Sequence, residues 1–264
     1  MAFIRANGIV LHYQAIGRAD APVLVFNNSL GSDFRIWQAV APAFADRFRV
    51  LLYDKRGHGL SDTSPAPYRM DDHTDDLLAL LDRLGIGSAA LVGLSVGGMI
   101  AQRAAVRAPE RVTALVLCCT AAKIGTPELW AERISAVERG GVEPIAENVL
   151  QRWFTPQFRE TRKDDVAGWR NMLVRNPAQG YAGTCAAIRD ADLTADAGAI
   201  VAPTLCVAGD QDGSTPPDVV RGTARLVPGA RFELIEGCGH IPCIEKPEVL
   251  THLIQKHLQE VGLV

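Results

Sequence analysis

Leu91-Val92-Gly93-Leu94-Ser95-Val96-Gly97-Gly98 sets a serine between glycines at the end of an apolar run, Ala89 to Leu94. A helix-favouring run, Met99 to Val106, follows. Strand, sharp turn and helix with G-x-S-x-G at the junction is the arrangement that lifts a nucleophilic serine above the C-terminal edge of a sheet. The turn forces the serine into a strained backbone conformation, and side chains at 93 or 97 would collide with the adjoining strand or helix. The helix N-terminus also directs free N–H groups at whatever sits over Ser95. An incidental serine in a glycine-rich turn would share the bare pattern. The strand before it and the helix after it favour the nucleophile.

The chain has 264 residues, 48% hydrophobic and 22% charged, which suits one globular unit with a full core and room for an insertion. A net charge of −3 points to neither nucleic acid nor an anionic membrane as partner. The first residues carry no signal-peptide pattern, and no apolar run approaches the roughly 20 residues of a membrane span. The expectation is a cytoplasmic protein, in which the sequon-like Asn27-Asn28-Ser29 has no glycosylation role. The six cysteines are scattered, which is not a disulfide framework. Cys238-Gly239-His240-Ile241-Pro242-Cys243 brings two thiols and an imidazole close in sequence. Without a C-x-x-C pair, and with Pro242 stiffening the loop, buried free thiols are expected there rather than a metal.

β-like and helix-like runs alternate along the chain, the signature of an α/β fold with a mostly parallel sheet. Ile9 to Ala15 reads as an antiparallel edge strand. Pro22–Phe26, Arg49–Tyr53, Ala89–Leu94, Val112–Cys118, Thr204–Ala208 and Arg231–Ile235 read as the remaining strands. Phe34–Phe48, Asp71–Leu84, Pro217–Leu226 and Lys246–Val261 read as helices, with Leu77, Leu78, Leu81 and Leu84 on the buried face of the second. From Ala122 to Asp190 no buried β run occurs, and three of the four tryptophans lie there. Residues 122–190 are read as a helical cap, and 1–121 with 191–264 as the core.

A serine hydroxyl needs a neighbouring base, and the base an orienting acid. On an elbow scaffold the chain order is Ser, Asp, His. His240 follows a strand at the catalytic edge. His58, in the loop after Tyr53, is its competitor, while His252 and His257 are expected on the surface of the last helix. The acid is Asp212 or Asp210, with Asp212 preferred and the other bracing the loop. The oxyanion needs two N–H donors. Val96 supplies one, and the Asn27-Asn28-Ser29-Leu30-Gly31 loop the other, with Leu30 the choice. Asn27, Asn28 and Ser29 then hold the loop or touch substrate.

Taken together these segments resemble the α/β-hydrolase superfamily along the whole chain. Asn28-Ser29-Leu30-Gly31 stands where most members have His-Gly. With Asp54–Asp62, Arg152-Trp153-Phe154-Thr155-Pro156, Cys185–Leu193 and Gly209–Pro217, it is similar to the 3-oxoadipate enol-lactonases. The resemblance implies an eight-stranded, mostly parallel sheet flanked by helices, with a helical cap. It further implies hydrolysis of 3-oxoadipate enol-lactone through an acyl-enzyme, with a small acidic lactone as partner and no cofactor or metal. A cation should meet the substrate carboxylate. Arg133, beside Trp130, is a candidate, and so are Arg152 and Lys55. Trp130 and Trp153 would wall the pocket. A general carboxylesterase, a cofactor-free haloperoxidase or perhydrolase, and a C–C bond hydrolase share the same serine chemistry. A hydrolase-fold ligand sensor is the reading from another class. Oligomeric state is not legible.

Overall fold

Parallel strands covered on both faces read as continuous apolar runs, and the middle of the sheet in the computed structural model, which describes residues 1–263, is built from them. In chain order the strands are β1 (Ala2–Ala6), β2 (Ile9–Gly17), β3 (Val23–Asn27), β4 (Arg49–Tyr53), β5 (Ala89–Leu94), β6 (Val112–Cys118), β7 (Thr204–Gly209) and β8 (Arg231–Ile235). They form one sheet in the order β1-β2-β4-β3-β5-β6-β7-β8. β2 runs antiparallel to β1 and β4, and all other neighbours are parallel. Every residue of β5 and β7 is buried, whereas β1 and β8 at the edges are half covered.

The winding reverses between β3 and β5. β4 lies on one side of β3, and every later strand lies on the other. Chain segments leave such a switch point in opposite directions and open a crevice at the carboxyl ends of the strands. The loops after β3 and β5 flank that crevice.

α1 (Met70–Arg83) and α2 (Val96–Arg107) cover the sheet. The buried residues of α1 are Met70, His73, Thr74, Asp76, Leu77, Leu80 and Leu81, and Leu84 packs partly buried against the core, while Leu78 sits at the margin and not on the same face as expected. Arg56, in the loop after β4, grips Asp76 of α1 through two guanidinium bonds of 2.6 Å each, and Asn7 donates to the same carboxylate. Between β6 and β7 lie α3 (Pro127–Gly140), α4 (Ala146–Trp153), α5 (Pro156–Thr161), α6 (Lys163–Val174) and α7 (Ala178–Asp190), with no strand among them. α8 (Pro217–Leu226), α9 (Pro242–Glu245) and α10 (Pro247–Glu260) complete the chain. Among the described residues no helix is long and apolar enough to cross a membrane.

Three local expectations are corrected. Phe34–Phe48 is not a helix but two single 3₁₀ turns, Phe34–Trp37 and Ala41–Phe44. Pro42 has no N–H to give and disfavours helical geometry in the residue before it. β1 adds a strand not read from the sequence. It pairs with β2 across Asn7-Gly8, both with positive φ (46° and 79°), which is the two-residue hairpin turn such a dipeptide favours. His257 is buried, with Nε2 3.3 Å from Pro203 O and Nδ1 3.2 Å from the Arg231 guanidinium.

α7 rests directly on the core. A Cβ at Gly180 would stand 2.3 Å from Gly57 O, and Gly57 itself has φ +71°. Two backbones meet there because neither residue has a side chain. Gly180→Ala is therefore expected to destabilise the protein by about 1–3 kcal/mol, as overpacking does. In an unobstructed helix the same change stabilises by roughly 0.5–1 kcal/mol. Gly168 of α6, whose Cβ would meet nothing within 4 Å, supplies that control. Thermal unfolding of the two variants should shift Tm in opposite directions.

Candidate active site

Ser95 stands between β5 and α2 with φ 57° and ψ −121°, a conformation that non-glycine residues rarely adopt. The surroundings hold it there. Ser95 N donates to Cys118 O at 3.0 Å, and Thr120 Oγ1 donates to Ser95 O at 2.6 Å. A Cβ at Gly93 would lie 2.4 Å from Gly97 O, and one at Gly97 would lie 2.4 Å from Asn27 O. The glycines thus let β3, β5 and α2 approach closely beneath the serine. Among the described residues Ser95 Oγ has no hydrogen-bond partner.

His240 lies in the loop after β8. Its Nδ1 is 2.8 Å and 3.0 Å from the two carboxylate oxygens of Asp212, in the loop after β7. Asp212 is buried and also accepts from Ser214 N (2.7 Å), Thr215 N (2.9 Å) and Thr215 Oγ1 (2.7 Å). Burial alone would push its carboxyl up, but His240 and the Thr215 donors together hold it below the ordinary value. The pair is therefore a carboxylate fixing an imidazole by Nδ1, with Nε2 on the opposite edge of the ring. Asp210 is exposed and accepts from Cys238 N at 3.0 Å. It braces the histidine loop and leaves the imidazole to Asp212.

Ser95 and His240 line one cavity of about 60 Å³. That is room for roughly four to six waters, so the cavity suits a small ligand. Leu30 belongs to its core side, and Trp130, Arg133, Arg152, Trp153 and Tyr181 to the cap side. A wider surface depression, sharing Leu129, Arg133, Val149 and Arg152 with the cavity, marks the approach between α3 and α4. Arg133 stacks on Trp130, its Cζ 5.1 Å from the ring centroid. Neither Arg133 nor Arg152 has a carboxylate within ion-pairing distance among the described residues. The Tyr181 hydroxyl is buried without a partner. Burial raises its pKa, so it is a neutral O–H donor. Tyr181 was legible only as one more aromatic residue of the cap.

In the loop after β3 the structure separates the two roles the sequence left open for Asn28 and Ser29. Leu30 reaches the cavity, but Asn28 and Ser29 do not. Asn28 Nδ2 donates to Ser32 O, and Ser29 O accepts from Ser32 N and Oγ, so these residues close their own turn. Lys55 is also outside the cavity, buried beneath that turn. His58 is buried and accepts Gly31 N–H on Nε2 at 2.9 Å, so it braces the loop and does not compete with His240. The N–H groups of Leu30 and Val96 have no acceptor among the described residues. Among those residues, one group of three potential metal ligands lies within 4.8 Å, namely Cys119, Asp212 and His240. The carboxylate and imidazole there hold each other, and burial keeps the Cys119 thiol protonated. Cys238 and Cys243 are not part of that group.

Asp212→Asn should lower kcat by about 10³–10⁴-fold, because an amide presents a donor where Nδ1–H needs an acceptor. Asp210→Asn should cost less than about 10-fold, the effect of one neutral hydrogen bond to a loop. Steady-state kinetics of the two variants decide between the carboxylates, and the reverse order would overturn the geometric reading.

The sequence matches the α/β hydrolase fold family over residues 22–247. It is 36% identical over 252 residues to 3-oxoadipate enol-lactonase 2 of Acinetobacter baylyi, covering 96% of this chain and 94% of the relative. The enol-lactonase structure from Burkholderia xenovorans LB400 superposes with a TM-score of 0.96 at 36% identity, over 98% of this chain and all of the other. A thermophilic esterase from Thermogutta terrifontis, solved with malate bound, gives 0.91 at 30% identity over 98% of each chain. With the elbow, the Asp212–His240 pair and these likenesses along nearly its full length, the chain belongs to the α/β-hydrolase fold family.

Proposed function

We propose that the protein is a serine hydrolase that opens 3-oxoadipate enol-lactone to 3-oxoadipate in the β-ketoadipate pathway. The observation that carries the substrate class is the cavity. It is small, it lies over Ser95 and His240, and its cap side holds two unpaired guanidiniums and an unpartnered hydroxyl. The Tyr181 hydroxyl, beside the Arg133 guanidinium, can donate to an acceptor on a ligand. A compact lactone with a free carboxylate has both the size and the charge. The enol-lactonase relatives act on such a compound by their names, and the related esterase was solved with a dicarboxylate.

In the proposed mechanism His240 Nε2 takes the Ser95 proton as Oγ attacks the lactone carbonyl. Leu30 and Val96 N–H groups receive the oxyanion. Collapse breaks the ring C–O bond and releases an enol, protonated by His240, which becomes the ketone while the acyl group stays on Ser95. Water, deprotonated by the same imidazole, then cleaves the acyl-enzyme. Asp212 stabilises the imidazolium in both halves. The six free thiols suit a reducing compartment, and we place the enzyme in the cytoplasm.

Direct assay tests the reading. The enol-lactone should be turned over with kcat/KM about 10- to 10²-fold above that of a neutral ester of equal size, since a charged hydrogen bond contributes about 1.5–3 kcal/mol. Ser95→Ala should remove about 10³-fold or more of kcat. Arg133→Gln should raise KM for the acidic lactone about 10-fold or more and leave the neutral ester within about 2-fold. Equal rates on the two substrate classes would favour a general esterase. Ligand binding with no turnover by wild-type protein would favour a sensor.

A further inference from the structure

Lys55 is a buried ammonium that pairs with no carboxylate among the described residues. The acids nearby are committed elsewhere. Asp54 accepts from His12 Nδ1 (2.7 Å), Phe34 N (2.9 Å) and Leu60 N (3.0 Å), and Asp33 is bound by Arg35. Lys55 Nζ instead donates to two carbonyls, Ser29 O at 2.5 Å and Ser32 O at 3.3 Å. Holding a charge in the interior against carbonyls alone is costly, and an apolar side chain of the same length would avoid that cost. The local turn does not depend on it, because Ser29 O keeps Ser32 N–H (3.3 Å) and Oγ–H (3.0 Å), and Ser32 O keeps Asn28 Nδ2.

The carbonyl Lys55 grips has a particular partner. Ser29 C=O and Leu30 N–H are the two ends of one planar, trans peptide and point in opposite directions. A donor on the oxygen end fixes the direction of the N–H end, and by polarising the amide makes that N–H a stronger donor. The next peptides are held too, but by neutral groups. His58 Nε2 accepts Gly31 N–H, and Asn176, just beyond α6, donates to Gly31 O at 2.8 Å. Lys55 alone touches the Ser29–Leu30 peptide with a charge. We propose that Lys55 is a positioning residue of the oxyanion hole, orienting and polarising the Leu30 N–H from behind. This rests on the proposed role of Leu30 as oxyanion donor.

The charge has a pH range. Burial pulls the Lys55 pKa down to about 7, with Asp54 and Asp33 opposing the fall. His58 and His73, the other titratable groups that feel Lys55, are both driven by burial well below the ordinary histidine value and stay neutral. Lys55 is therefore a cation below about 7 and a neutral amine above it. The kcat profile should fall on the alkaline side as Lys55 loses its proton.

The test uses Lys55→Gln, which keeps a donor without the charge, and Lys55→Met, which removes both. Losing a whole oxyanion donor costs about 10²–10³-fold in kcat, and weakening one should cost less. We expect kcat to fall about 10-fold in Lys55→Gln and about 30-fold or more in Lys55→Met, with KM within about 2-fold. A trifluoromethyl ketone, which adds Ser95 Oγ to form a tetrahedral hemiketal oxyanion, should bind more weakly by the same factors. A planar keto acid should bind as it does to wild type. The alkaline fall in kcat should be absent in both variants. Unchanged hemiketal affinity, equal loss of both ligands, or an alkaline limb that survives in Lys55→Gln would each overturn the proposal. Failure of wild-type protein to form the hemiketal would instead overturn the assignment of Ser95, and this proposal with it.

Discussion

The backbone conformation of Ser95 is the constraint on which the site depends. A serine at φ 57° and ψ −121° is strained, and strain persists only where the surroundings over-determine it. Here the neighbours are strands and a helix. Cys118 O and Thr120 Oγ1 fix the serine peptide from the β6 side, while Gly93 and Gly97 bring β5, α2 and Asn27 into backbone contact. Those contacts also set where the loop after β3 begins, because Asn27 carries the β3 backbone straight into it. The nucleophile and the loop of Leu30 are therefore positioned by one packing event, at the point where the strand order reverses.

The cap is joined to the catalytic loops by their backbones and not merely laid over them. His240 N donates to Trp153 O at 2.8 Å, so the last residue of α4 fixes the histidine. Glu245 Oε1 accepts from Thr155 N and Oγ1, and its Oε2 accepts from Gly239 N at 2.5 Å, tying the cap to the residue before His240. Asn176 bonds Gly31 O, and Gly180 rests on Gly57. Each tie ends on a loop that carries or braces a reacting group. A cap attached in this way passes its own position directly to the imidazole and to the loop after β3, so residues far from the serine in sequence contribute to the chemistry.

What was legible in the sequence follows from how local each signal is. The elbow could be read because glycine, serine and the flanking strand and helix all speak within about a dozen residues. His240 and Asp212 could be read because a strand end is a local feature and its edge of the sheet is set by topology. Pro42 is a local cue against a helix through Phe34–Phe48, and Asn7-Gly8 is a local cue for the β1–β2 hairpin, but each competes with an apolar pattern that points the other way. Lys55, His58 and Tyr181 are different. Asp54-Lys55-Arg56-Gly57-His58-Gly59 is a polar glycine loop, and nothing in its composition says that Lys55 and His58 are buried. Their burial comes from the loop after β3 and from α7, which lie elsewhere in the chain. Charged residues in polar loops are exposed by default, so a local reading sends Lys55 towards substrate when it sits beneath the turn.

The placement of charge also bears on how a substrate would orient. Around the loop after β3, the charged groups are engaged by hydrogen bonds or by one another: Asp54 with His12 Nδ1, Asp33 with Arg35, Arg56 with Asp76, and Lys55 with carbonyls. On the cap side of the cavity, Arg133 and Arg152 are left without anionic partners among the described residues, beside the unpartnered Tyr181 hydroxyl. Unpaired positive charge therefore lies at the cap end, while the N–H donors of Leu30 and Val96 lie at the serine end. Arg152 is exposed and solvent screens it, so the half-buried Arg133 carries most of this asymmetry. A small molecule with a carboxylate at one end and an acyl carbonyl at the other would be drawn in one sense only, carboxylate to the cap and carbonyl to Ser95. A neutral ester of equal size would meet the same donors at Ser95 without the anchor that fixes its direction. On the proposed reading, preference for an acidic lactone arises from orientation imposed across the cavity, while the elbow chemistry is common to both kinds of substrate.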